Sequence, residues 1–173
     1  AEFAHFLGLE PDKIRVRVPY VGGGFGSKIP TTAHFAALLL SRRVRRPVRL
    51  MPSAHYSFRQ NSRHAEAFKA RIGVKNDGTI TALDVDLLVD TGAYTTGGAT
   101  AAHNSVISGW GCYRIPHLRI KGKCVYTNKV PAGHTRATGK IQTTWGIECT
   151  MDSVARQLSI DPYDFRKKNV LLR

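Results

Sequence analysis

The stretch FKARIGVKNDGTITALDVDLLV, residues 68–89, decides the fold. Two strand-like runs, residues 68–75 and 79–89, are joined through Asn76-Asp77-Gly78. Asp-Gly in such a junction supplies the positive φ that tight hairpin turns need. The segment therefore reads as an antiparallel hairpin. On its C-terminal side comes a Gly/Ala/Thr-rich loop at 91–102, then a short helix, then a strand at 117–127. Thr144, Ile147, Met151, Val154 and Leu158 follow at spacings of 3, 4, 3 and 4, one stripe on a helix face. Asp161 as N-cap, Pro162 at the first helical position and Asp164 in the first turn open another helix. On the N-terminal side, residues 13–18 alternate Ile14, Val16 and Val18 against Lys13, Arg15 and Arg17, which reads as a half-buried strand. A helix over 31–42 and a short strand at 48–51, introduced by Pro47, complete the pattern. The class is α+β: a mixed sheet with an antiparallel hairpin and packed helices.

The chain has 173 residues, 42% of them hydrophobic, enough for one domain with a core. The longest apolar run, residues 35–40, is far short of the ~18–20 residues that span a bilayer. The first residues, AEFAHFLGLEPDK, lack the pattern of a signal peptide. Cys112, Cys124 and Cys149 form no C-x-x-C, so they are expected as reduced and mostly buried thiols, in keeping with a cytoplasmic protein. The net charge of +14 is concentrated in SRRVRRPVRL, residues 41–50, and in the terminal FRKKNVLLR. Such charge serves nucleic acid, an acidic partner or a missing part of the same protein, and composition leaves these open.

The glycine cluster Gly22, Gly23, Gly24, Phe25, Gly26, between a strand and a helix, invites a phosphate-cradle reading. The spacing fits neither standard pattern. A G-x-G-x-x-G needs glycine at Ser27 or Ile29, and a Walker A ending at Lys28 needs glycine at Ser27. A ligand-free turn and a cofactor contact both remain open on the pattern alone.

The whole string VGGGFGSK, however, resembles the GGGFGGK segment of the xanthine dehydrogenase and aldehyde oxidase family of molybdenum hydroxylases. The resemblance continues over roughly residues 10–173. Arg63 and His64 precede the hairpin, and Asp90, Gly92, Ala93 and Tyr94 follow it as Asp-x-Gly-Ala-Tyr. Thr127, Asn128 and Pro131 match a Thr-Asn-x-x-Pro loop, and Arg136, Gly139 and Gln142 match R-x-x-G-x-x-Q. Glu148, Met151, Asp152, Ala155, Leu158, Asp161, Pro162, Arg166 and Asn169 fall in the family's helix pair. Several motifs in one order are far more specific than a lone glycine loop.

The resemblance implies that residues 1–173 form a single partial molybdopterin-binding domain of a large subunit. It implies a molybdenum–pterin cofactor at Gly24, Phe25, Gly26, Arg136 and Ala137, its nucleotide form left open. Glycines let backbone approach a bulky group, and a guanidinium holds phosphate or carbonyl oxygens bidentately. Iron–sulfur and FAD centres are expected only on partner domains or subunits. The family's general-base glutamate lies outside this chain, so no catalytic residue is assigned. Glu148 matches a different family position. Arg63 and His64 read equally well as ion-pairing surface groups.

Three positions of the implied substrate pocket depart from the purine-oxidising pattern. Ile29 replaces an acidic residue, Asn104 falls where an arginine is expected, and Thr138 replaces an aromatic. An aldehyde or other small carbonyl or heterocycle is the expected substrate. The expected partners are the rest of the large subunit and the iron–sulfur and flavin components. No membrane partner is expected. The alternatives are a non-catalytic module of the same fold and a basic nucleic-acid binder. The latter is weakened because Trp110 and Trp145 are far apart and no aromatic strand motif accompanies the charge.

Overall fold

The computed structural model describes residues 2–60 and 62–171. The chain divides into two compact units, Ala1–Gln60 and Asn61–Arg173.

The first unit holds α1 (Glu2–Leu7), a 3-10 turn (Pro11–Lys13), α2 (Thr32–Val44) and α3 (Ala54–Gln60). Phe3 and Phe6 of α1 meet Phe35 of α2 edge-on, with ring centroids 5.2 and 4.8 Å apart. The Arg42 guanidinium donates to the Leu7 carbonyl at 3.1 Å. At the start of α2 the Thr31 backbone N–H donates to His34 Nδ1 at 3.0 Å, satisfying an orphan donor. At its end Arg45 turns left-handed, at φ +53°, before Pro47. The helix expected at 31–42 is therefore present. The strands expected at 13–18 and 48–51 are not: Pro11–Lys13 is a 3-10 turn and the rest is irregular. A strand exists only when a neighbour accepts and donates its ladder bonds, and among the described residues neither segment has one. Val16 and Val18 are consequently exposed.

The second unit is built on β1 (Ala65–Val74), β2 (Ile80–Gly92) and β3 (His117–Tyr126), ordered β1-β2-β3. β1 and β2 are the expected hairpin. Gly78, at φ +83°, donates to the Lys75 carbonyl, and Thr79 closes on Asp77 through its amide and hydroxyl. β3 runs parallel to β2, so the connection must cross over, and α4 (Gly98–Ser108) supplies the crossover. The loop expected at 91–102 is shorter, because β2 carries Thr91 and Gly92 and α4 starts at Gly98.

In the register Phe68, Ala70 and Ile72 stand opposite Leu87, Val85 and Leu83, on the face covered by helices. α5 (Lys140–Gln157) and α6 (Pro162–Asn169) close the core through Ile147, Met151, Ala155 and Phe165. Gly146 is needed there, since a Cβ would sit 2.6 Å from the Phe68 ring. The α5 stripe is as expected except at its start: Thr144 is exposed and Thr143 is buried. On the other face Arg71 and Arg119 both pair with Asp84, a cross-strand arrangement. That pairing holds the Asp84 carboxyl down to about 2, Arg119 contributing most.

The α5–α6 pair explains several residues that the resemblance singled out. Glu148 accepts from the Tyr113 hydroxyl at 2.8 Å and from Arg166 Nε at 2.8 Å. Burial and the Glu148 carboxylate push the Tyr113 phenol up. Arg166 also pairs with Asp152 at 2.7 Å. Asp161 caps α6, accepting from Tyr163 and Asp164 amides. Buried Asn169 accepts from the Ile80 amide at 2.9 Å and donates to the Gly78 and Phe165 carbonyls, fastening α6 to the hairpin. The expected burial of the cysteines is wrong. Cys112, Cys124 and Cys149 are all free and exposed, because they sit in a turn, on the edge strand β3 and on the outer side of α5.

Candidate functional site

In the first unit the glycine segment forms a turn over residues 25–28. The Ser27 amide and hydroxyl both donate to the Gly24 carbonyl, at 2.9 and 2.7 Å. Phe25 adopts φ +51° and Gly26 φ +102°. A left-handed phenylalanine costs about 1–2 kcal/mol, and such strain gathers at ligand-binding positions. The Phe25 ring folds back onto Gly23, where a Cβ would lie 2.3 Å from it. The ring nevertheless stays 68% exposed. Beside Gly22 there is open space, so backbone there is accessible to a bulky group. Ile29 is exposed after the turn.

In the second unit the Arg136 to Gly139 segment is a second strained turn. Ala137 has φ +56° and Gly139 φ +80°, with Thr138 between them. The turn is held at several points. Asn104 Nδ2 of α4 donates to the Thr138 carbonyl at 3.1 Å. The Thr138 hydroxyl donates to the Thr135 carbonyl at 3.0 Å. Arg63 donates to the Arg136 carbonyl at 3.3 Å, and the Lys140 amide closes on Ala137. Gly139 lies against α4 so closely that a Cβ would be 2.2 Å from the Ala101 carbonyl oxygen. Arg136 and Ala137 are exposed, and Lys140 beside them opens α5. Cationic side chains at an uncapped helix start suit an anionic group.

Beneath this turn lies a buried polar layer that the sequence reading missed. Glu66, on the core face of β1, accepts from Thr143 at 2.8 Å and Ser105 at 3.0 Å. Burial pushes its carboxyl up, against the pull of those two hydroxyls. His64 is buried, not a surface ion-pairing group. Its Nδ1 lies 3.1 Å from the Asp90 carbonyl, so Nδ1 carries the proton and donates. Burial lowers the ring's pKa, outweighing the Asp90 hydrogen bond. Its Nε2 is buried with no donor among the described residues. Gln142 Nε2 donates to the His64 carbonyl at 2.6 Å. Asp90 accepts from the Gly92 amide, Thr127 and Lys129, and its carboxyl is held down to about 2, the Thr127 bond contributing most. The strand register was the available signal: Glu66 occupies a position where Phe68 and Ala70 call for an apolar side chain.

Of the expected pocket residues, Asn104 and Thr138 are brought together by their hydrogen bond. Ile29 belongs to the first unit and is described with the glycine turn.

The sequence profile of the molybdopterin cofactor-binding domain matches residues 1–170. The chain belongs to the molybdopterin cofactor-binding domain family. Among relatives of this family, the chain is 34% identical over 170 residues to a probable xanthine dehydrogenase subunit from Bacillus subtilis (strain 168), covering 98% of this chain and 23% of that protein. It is 32% identical to the nicotinate dehydrogenase large molybdopterin subunit of Eubacterium barkeri, covering 97% of this chain and 40% of that one. The fold matches aldehyde oxidoreductase from Desulfovibrio gigas with a TM-score of 0.89 and 32% identity, over 98% of this chain and 19% of that chain. The chain thus spans a fifth to two fifths of the length of these relatives. The molybdopterin cofactor-binding domain fold agrees with the α+β class read from the sequence. No helix among the described residues is long and apolar enough to cross a membrane.

Proposed function

We propose that this chain is the cofactor-holding part of a molybdenum-dependent oxidoreductase that hydroxylates an aldehyde or heterocyclic carbon. In that reaction oxygen from water enters a C–H bond, and two electrons and two protons leave. The chain is inactive alone, because the general base is supplied from elsewhere in the large subunit. Residues 1–173 serve as one partial domain of that subunit. Electrons pass onward to iron–sulfur and flavin components, and the assembly works in the cytoplasm.

The observation that carries this reading is the Arg136 to Gly139 turn, which is strained, fixed at its carbonyls and exposed at its side chains. Gly139 takes its positive φ freely, but a left-handed alanine at 137 costs about 1–2 kcal/mol, and such strain gathers at ligand-binding positions. Arg136 binds a pterin phosphate or carbonyl oxygen, and Ala137 lets backbone approach the ring. The glycine turn offers the same combination: Gly24 and Gly26 admit the group, and Phe25 shields it from water. When bound, the molybdenum–pterin group supplies Lewis-acid and two-electron chemistry. The chain's own residues bind it, orient it and exclude water.

The substrate reading follows from Ile29, Asn104 and Thr138. A purine needs polar and aromatic contacts, and the Asn104 amide is committed to the Thr138 carbonyl. The test is molybdenum and pterin analysis of the full-length protein beside its Arg136→Ala variant. The full-length protein carries both, and the variant loses most of them. A full-length protein free of molybdenum, under conditions that load its relatives, would sink the proposal. An aldehyde and purine panel tests the substrate class, and faster turnover of a purine would reverse it.

A further inference from the structure

Helix α5 carries Ile141, Trp145 and Cys149 at intervals of four, so the three share one side of the helix. All three are exposed, Trp145 at 71%. With Glu66 and Phe68 of β1, and with Gln142, they line a groove of about 580 Å³. β1 is an edge strand, so its outer backbone has no partner in the sheet. Tryptophan carries a large apolar area with one N–H, and it is enriched where one chain anchors another.

Gln142 is already committed. Its Nε2 donates to the His64 carbonyl, which fixes the amide's orientation. Turning it over would set two oxygens face to face. Its Oε1 is buried, closed to an incoming segment, and has no donor among the described residues. The Glu66 oxygens are already used by Thr143 and Ser105. What the groove offers an incoming group is therefore mainly apolar surface, from Phe68, Ile141 and Trp145.

We propose that this groove seats an apolar segment from the remainder of the large subunit, anchored on Trp145. The inference rests on the reading that this chain is part of such a subunit. The length needed for it is there in the relatives: the Bacillus subtilis protein aligns with 98% of this chain but with only 23% of its own sequence. A peptide suits the groove because the unpaired edge of β1 offers backbone groups beside it.

Cys149 reports on the groove directly. Iodoacetamide alkylation, read by mass spectrometry, is compared in the native full-length protein and in the 173-residue chain. Cys112 and Cys124 are exposed in the chain and serve as comparators. The expected result is that Cys149 alkylates roughly tenfold or more slowly in the full-length protein, since thiol reactivity follows access. Equal rates in the two forms overturn the proposal. Slow alkylation in the 173-residue chain that quickens on dilution also overturns it, and assigns the groove to a second copy. A full-length Trp145→Ser variant is expected to lose the protection at Cys149 while Cys112 and Cys124 keep their rates; retained protection removes Trp145 as anchor. An intact mass from the host that shows only the 173-residue species refutes the subunit reading itself, an outcome distinct from free alkylation in a longer protein.

Discussion

Gly139→Ala tests the account of the Arg136 to Gly139 turn most sharply. The added Cβ would sit 2.2 Å from the Ala101 carbonyl oxygen and 2.7 Å from Ser105 Oγ. Real Cβ contacts stay beyond 3.0 Å, so α4 and α5 must part by about 0.8 Å. Gly139 also holds φ +80°, which costs an L-residue about 1–2 kcal/mol. Overpacking a close contact adds about 1–3 kcal/mol. The variant should lose about 2–5 kcal/mol of stability in urea unfolding, followed by tryptophan fluorescence, with an unchanged slope. Gly111→Ala is the matched control. It has φ +63°, but its nearest neighbour would be the Tyr113 ring at 3.3 Å, so only the backbone cost of about 1–2 kcal/mol is expected. If Gly139→Ala costs no more than Gly111→Ala, the close approach of α4 to the start of α5 is refuted.

The buried polar groups give three further predictions. Asp90 is held at about 2 against an ordinary 3.8, so its contribution is full above 3.8 and disappears as pH falls toward 2; Asp90→Asn should flatten that limb of an acid-unfolding curve. His64 has a lowered pKa, so the unfolded chain takes up its proton first as pH drops below 6.5. Stability should then fall by up to about 1.4 kcal/mol per pH unit until the folded ring protonates, and His64→Phe should remove this slope while costing about 1 kcal/mol at pH 8 through the lost hydrogen bond to the Asp90 carbonyl. Asn169→Ala should cost at least about 3 kcal/mol in urea unfolding, because the Ile80 amide and the Gly78 and Phe165 carbonyls lose their partner together; a loss under 1 kcal/mol would show that α6 is not fastened to the hairpin this way.

Elements with a local signal were legible in the sequence. The hairpin turn is written in Asp77-Gly78, whose backbone requirement is met by those two residues alone. The start of α6 is written in Asp161-Pro162 for the same reason. The misread elements depend on something distant. Residues 13–18 alternate like a strand, yet alternation specifies only faces, and a ladder partner has to come from another segment. The parallel pairing of β3 was invisible because its register depends on the length and packing of α4. The phase of α5 was off by one residue at its start because Glu66 draws the Thr143 hydroxyl inward. An apolar period cannot anticipate a half-buried carboxylate on another element.

The site residues divide along the same physical line. Most residues that carried the family resemblance turn out to hold backbone or one another. Arg63 holds the Arg136 carbonyl, His64 the Asp90 carbonyl and Gln142 the His64 carbonyl. Glu148, Asp152 and Arg166 fasten two helices. Each of these polar side chains is bound to its position by a specific partner, so a sequence motif can record architecture as faithfully as chemistry. Phe25, Arg136 and Ala137 differ, because they combine exposure with a strained or adjoining backbone. An exposed phenylalanine held in a left-handed turn costs about 1–2 kcal/mol, and such strain gathers at ligand-binding positions. That is the physical ground for seeking the cofactor there, and for reading Asn104 and Thr138 as parts that set the turn's shape.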